Sequence, residues 1–266
     1  MARNRFARRL SDRTTGQLLS LFAGWLALAC LAVVEAAPIK VCFEGDIGTS
    51  LTSPTDATRI NWVFDRLTEK TGLRFDVNGT SWPRCLKEVE LGTSDAAAWA
   101  SYTPQRAVFS VFPTTPAGQV DESRRLFVSH YEVYFRSDTG FDWQKGKFSG
   151  PVKRVASHPG YSINHQLNDL GVEIDLTSDL INSVRKLLAG RVDAVVSFSD
   201  SMDSLRKQNT EWTDKIRRAN EPMVKKSYYL IFSRSYYQRA NREAETIWGE
   251  LVNIRDSSEY RRILGE

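Results

Sequence analysis

Asp95-Ala-Ala-Ala-Trp-Ala-Ser-Tyr-Thr-Pro-Gln-Arg106 is the stretch on which the reading of this chain turns. Its alanines and Trp99 predict a strand over 95–101 that packs closely on both faces, as an inner strand of a parallel sheet does. Thr103 and Pro104 then start a helix, threonine being a good N-cap and proline suited to the first helical position. The strand delivers Ser101 and Tyr102 to its carboxyl end, where free helix N–H groups and the helix dipole favour an anion. Arg106 stands in the first turn, where a positive charge opposes that dipole. The local conflict is resolved if the guanidinium grips a carboxylate bidentately. A salt-bridged or solvated arginine is the alternative.

Outward from this stretch the pattern alternates between short apolar runs and helical stretches. Strands are expected over 39–43 and 73–77, and helices over 58–70, with Ile60, Val63, Phe64 and Leu67 on one face, and from Ser81-Trp82-Pro83 to Gly92. A second set comes next, with strands over 152–157, 172–176 and 191–198 and helices over 161–170, 178–189 and 201–208. The chain closes with a strand over 228–232 and a helix over 238–255, whose Ile247, Trp248, Leu251 and Ile254 form a core stripe. Strand–helix alternation of this kind predicts an α/β fold of mostly parallel sheets flanked by helices. Between the two sets, 126–137 and 224–232 read as extended crossings. The chain then enters a second lobe over 131–225 and returns, so that 37–130 and 226–266 form a discontinuous first lobe. Two lobes joined by two strands make a hinge and a cleft, a favoured place for a small ligand.

The 266 residues carry 41% hydrophobic and 26% charged side chains, the balance of a folded globular chain rather than a disordered one. The net charge of +4 is misleading. Residues 1–36 hold five of the 36 basic and two of the 32 acidic residues, so residues 37–266 carry only +1 and no nucleic-acid partner is expected. Arginines at 3, 5, 8, 9 and 13, an apolar run from 18 to 34 and small residues at Val34 and Ala36 read as a signal peptide cleaved after Ala36. An uncleaved anchor is the alternative. The product is expected in the periplasm as a soluble monomer. Cys30 leaves with the signal, and Cys42 and Cys85 remain as an even pair in an oxidising compartment, either as a disulfide or as two buried thiols. Two cysteines with His130, His158 and His165 match no zinc spacing, and neither a metal nor another cofactor is expected.

The order of strand, helix, strand, Trp82-Pro-x-Cys-Leu, Gly92, Asp95 and Thr103-Pro-x-Arg106 resembles the periplasmic solute-binding proteins of family 3. These are the amino-acid-type substrate-binding components of ABC transporters, with a type II periplasmic-binding-protein-like fold. Gly160-Tyr161-Ser162, Gly190-Arg-Val-Asp-Ala-Val-Val196 and Tyr228-Tyr-Leu-Ile-Phe-Ser233 add to the likeness, which spans nearly all of 40–265. The resemblance implies that Arg106, with Thr103, binds a ligand carboxylate and that Ser101 lends polar groups, with Trp99 nearby. It implies further that Trp82 covers the ligand and that Gly160, Tyr161 and Ser162 close on it from the second lobe.

Three departures stand out. The segment from Asp95 to Arg106 is one residue shorter than the pattern, and the loop from Glu44 lacks the usual Pro-Phe clamp. The second-lobe carboxylate that would hold an α-amino group is replaced by Ser197-Phe198, leaving Asp200, Glu44 or Asp46 as substitutes. The chain therefore reads as a non-enzymatic binding protein for a small, carboxylate-bearing, amino-acid-like solute. Its membrane partner is either an ABC permease or a sensor. A dehydratase-like enzyme using Glu44 or Asp200 as an acid is the remaining alternative.

Overall fold

The computed structural model describes residues 37–45 and 54–264, with side chains in the first helix from residue 59 onward. Residues 1–36, read above as a signal peptide and including Cys30, and the candidate Asp46 lie outside the described residues. The chain runs β1 (Ile39–Glu44), α1 (Pro54–Thr71), β2 (Phe75–Thr80), α2 (Trp82–Leu91), β3 (Ala96–Ser101), α3 (Pro104–Phe109), β4 (Ser110–Val111) and β5 (Phe127–Arg136). A small hairpin, β6 (Asp142–Gln144) and β7 (Lys147–Ser149), precedes β8 (Arg154–Ser157), α4 (Ile163–Asp169), β9 (Glu173–Leu176), α5 (Leu180–Leu188), β10 (Ala194–Phe198) and α6 (Ser199–Gln208). β11 (Ile216–Arg218), β12 (Val224–Ser233), α7 (Arg234–Arg255) and α8 (Ser258–Leu264) complete it.

One mixed sheet runs in the order β2-β1-β3-β12-β5-β10-β8-β9, with β4 beside β12 and β11 beside β5. β1 pairs in parallel with β2 and β3, and β8 with β10 and β9. The two crossings are β5 and β12, which pair antiparallel to each other, Phe127 facing Tyr228 and Tyr131 facing Val224. The fold is two-lobed because its apolar side chains gather in separate cores. On the first side, Val41, Val63 and Leu67 meet Ile247, Trp248 and Leu251 of α7, all almost wholly buried. On the second, Val133 and Phe135 of β5 pack on Val155, Leu167 and Val196.

The sequence places most elements and misses some edges. β12 spans Val224–Ser233, the stretch read as the return crossing, and its polar first half ladders onto β5 ahead of the apolar run. The β6–β7 hairpin and β11 are three-residue strands, too short to show a period. α7 begins at Arg234 and is interrupted at Ala240, whose φ of −141° and ψ of 38° are not helical. Gly92 stops α2 as expected, in a left-handed conformation (φ 72°) that favours glycine. Cys42 and Cys85 form a disulfide that pins α2 to β1, both residues being fully buried.

Candidate functional site

The carboxyl end of β3 and the start of α3 meet the second lobe at Arg106. Thr103 caps α3, its Oγ1 accepting a hydrogen bond from the Arg106 backbone N–H at 3.1 Å. That cap aims the arginine side chain back over the end of β3. There Nη1 donates to the Ser101 carbonyl oxygen at 2.7 Å and to its Oγ at 3.0 Å, while Nη2 donates to the Gly160 carbonyl oxygen at 3.0 Å. The guanidinium carbon lies 5.2 Å from the centre of the Trp82 ring. Arg106 is only 6% exposed, and burial pulls its pKa below the ordinary value, although a guanidinium stays charged in any such setting. It makes no ion pair among the described residues. Each of these hydrogen-bond partners is a neutral oxygen.

Other polar groups converge on the same place. The Ser101 and Ser162 hydroxyls lie 2.9 Å apart, one from each side of the cleft. Lys226 of β12 donates to Ser162 Oγ at 3.1 Å, and its pKa is lowered by burial and then by the Arg106 charge. Two cations thus approach one pair of hydroxyls. A site of that kind attracts an anion.

Glu44, at the end of β1, faces the second lobe. Its Oε1 lies 3.1 Å from Nε2 of His158, and the Tyr161 hydroxyl donates to it. Burial raises the Glu44 pKa, against the opposing effects of His158, Tyr161 and Arg106. Of the histidines, His158 reaches Glu44, its ring 4.6 Å from that of Tyr161, while His165 lies exposed along the groove behind Arg106.

A cavity of about 120 Å³ opens beside Arg106. It brings together seven of the residues expected from the sequence: Glu44, Trp82, Trp99, Ser101, Arg106, Tyr161 and Asp200. Thr103, Gly160 and Ser162 stand behind Arg106 and line a separate groove. Asp200 reaches the cavity from the first turn of α6 but is exposed, accepting from the Ser199 hydroxyl at 3.2 Å. Ser197 is buried at the end of β10, in a neighbouring polar cavity of about 530 Å³ that also holds His158. Sequence reasoning missed Phe127, Ser129 and Tyr131 as wall residues. Their spacing of two along β5 is the alternation that puts side chains on one face of a strand, and it could have found them. Phe198, which stands where the second-lobe carboxylate is expected, and Tyr228, which belongs to one of the resemblance segments, also line the cavity. Among the described residues, no group of three or more His, Cys, Asp or Glu is placed to hold a metal ion, and no helix is long and apolar enough to cross a membrane.

No family model matches the sequence, and no curated protein matches it. Solved structures do match in fold. The ligand-binding core of GluR0 from Nostoc punctiforme, in complex with L-glutamate, superposes with a TM-score of 0.63 at 16% identity, covering 85% of this chain and 97% of that one. The arginine-, lysine- and histidine-binding protein ArtJ from Geobacillus stearothermophilus gives 0.64 at 14%, covering 86% and 94%. A histidine kinase sensor domain with similarity to periplasmic binding proteins gives 0.66 at 14%, again covering 86% and 94%. The chain has the two-lobed fold of periplasmic binding proteins.

Proposed function

We propose that this chain is an exported solute-binding protein, with residues 1–36 its signal peptide. Its two lobes, 37–130 with 226–266 and 131–225, close around a small carboxylate-bearing solute for delivery to an ABC permease. The observation that carries this reading is Arg106, a buried cation held between the lobes with only neutral oxygens for partners. A buried charge is costly unless paired, and a ligand carboxylate would complete it. Closure then works as a population shift, since a solute touching both lobes stabilises only the closed form. The structural neighbours named for glutamate, arginine, lysine and histidine support a binding role over an enzymatic one. The likeness to a kinase sensor domain favours a second reading, in which the closed form signals to a membrane partner.

The test is a melting-temperature screen of the purified protein against amino acids, dipeptides, polyamines and organic acids, followed by calorimetry on Arg106→Ala. Removing one partner of a buried charged hydrogen bond costs about 2–5 kcal/mol. At about 1.4 kcal/mol per decade, the variant should bind the carboxylate hit at least about thirtyfold more weakly. An unchanged dissociation constant would remove Arg106 from the site.

A further inference from the structure

Arg106 accounts for one end of a solute, and the walls of its cavity bear on the rest. Among the seventeen described residues that line the cavity, eight are aromatic, against 11% of the whole chain, so the enrichment belongs to the site. The rings come from both lobes and pack on one another. Phe127 and Tyr228 stack at 5.0 Å and 8°, Tyr131 and Phe198 at 4.5 Å and 28°, and Trp99 meets Phe127 edge-on at 6.0 Å. Such walls favour a flat apolar body, held by stacking and edge contacts. Its size is bounded by the volume. The cavity measures about 120 Å³, while an apolar cavity of about 150 Å³ is known to take a benzene ring. A single six-membered ring therefore matches the part of the cleft beside Arg106, which shares Glu44, Tyr161 and Ser201 with the neighbouring cavity of about 530 Å³.

The polar groups mark where the charge goes. Tyr228 is 4% exposed, and its hydroxyl is buried with no well-formed hydrogen bond, although the hydroxyls of Tyr131 and Ser101 come close. It sits opposite Ser101 in the β3–β12 ladder, and Ser101 is the residue to which Arg106 donates twice. Only neutral hydroxyls stand near it, and a carboxylate beside Arg106 would supply a stronger, charged acceptor. The acids do not offer a matching grip for an ammonium group. Among the described lining residues these are Glu44, engaged by His158 and Tyr161 across the cleft, and Asp200, exposed on α6. An α-ammonium group beside Arg106 would have to compete with His158 and Tyr161 for the Glu44 carboxylate or reach out to the exposed Asp200, and its burial would otherwise go uncompensated.

We propose that the cleft selects a single-ring aromatic carboxylic acid lacking an α-ammonium group, its carboxylate held jointly by Arg106 and the Tyr228 hydroxyl. This rests on the carboxylate reading above and narrows it. The decisive pair is 3-phenylpropanoate and L-phenylalanine, which share ring, chain length and carboxylate and differ by the ammonium group alone.

Isothermal titration calorimetry of the purified protein, expressed from the full chain, would compare these two with benzoate, succinate and L-glutamate. The expected result is that 3-phenylpropanoate or benzoate binds at least tenfold tighter than L-phenylalanine and either aliphatic diacid. Phenylalanine binding as tightly as phenylpropanoate overturns the missing ammonium grip, and a diacid binding tightest overturns the aromatic body; either leaves the carboxylate reading standing. Binding of none of the five overturns both. Tyr228→Phe keeps the ring and removes only the hydroxyl. It should weaken the aromatic acid about tenfold while the free protein melts no lower than before, a combination that a merely structural tyrosine would not give. Equal affinity in that variant removes Tyr228 from the site.

Discussion

Gly160→Ala tests whether the turn after β8 clamps against the first lobe. Gly160 has φ of +77°, and its carbonyl oxygen accepts from Arg106 at 3.0 Å. A Cβ built there would lie 3.1 Å from Cδ1 of Trp82 and 3.4 Å from Cγ of Pro83. The substitution carries two separable costs. Left-handed backbone disfavours alanine by roughly 1–2 kcal/mol wherever the lobes stand. The crowding against Trp82 and Pro83 exists only when the lobes are closed, and overpacking of that kind costs about 1–3 kcal/mol.

Gly171 provides the control, because its φ of +73° imposes the same backbone cost while nothing lies within 4 Å of its Cβ position. Both variants should melt about 2–8 °C lower, at roughly 2–4 °C per kcal/mol for a domain of this size. Only Gly160→Ala should also expand the ligand-free protein in small-angle scattering and weaken solute binding about fivefold or more. Scattering curves and affinities that match between the two variants would refute the clamp, whatever their melting temperatures.

Two further outcomes concern buried groups. Glu44 has a raised pKa from burial, so the folded state holds its proton more tightly than the unfolded chain does. Its contribution to stability is therefore fully present below the ordinary glutamate value of 4.5 and is lost as pH rises through the raised one. Urea unfolding at a series of pH values should show Glu44→Gln, which cannot ionise, gaining on the parent protein over that interval; parallel profiles would show that the carboxyl is not penalised by its site. The Cys42–Cys85 bridge closes a separation of 43 residues, for which the loop-entropy model assigns about 4 kcal/mol. The double Cys42→Ala, Cys85→Ala variant should lose at least half of that in unfolding free energy, and a loss below about 1 kcal/mol would contradict the argument.

Much of the architecture was legible because local rules and the global fold agree. Thr103-Pro104 reads as a helix start and is one, and the alanine-rich run before it lies inside the sheet between β1 and β12. Gly92 reads as a stop and takes the left-handed conformation that a stop requires. The α7 stripe reads as core, and Trp248 is buried with its Nε1 donating to the Leu230 carbonyl oxygen at 2.8 Å. Arg106 was singled out because it breaks a local rule, a cation in the first turn of a helix. Such conflicts gather where tertiary contacts outweigh local preference.

The sequence by itself determined the strand–helix order, the two crossings near 126–137 and 224–232 and the unusual arginine, since each is written in neighbours a few residues apart. Only the tertiary structure decided what surrounds that arginine. Gly160 is 54 residues from Arg106 and His158 lies 114 beyond Glu44, yet both pairs are in contact across the cleft. The aromatic walls were hidden for the same reason. Phe127, Tyr131, Phe198 and Tyr228 each satisfy an ordinary strand pattern, and they become one surface only when antiparallel pairing of β5 with β12 and β10 sets them side by side. Periodicity reports which face a side chain takes on its own strand; which distant face it meets is set by register and by the closing of two lobes, and neither is a local property of the chain.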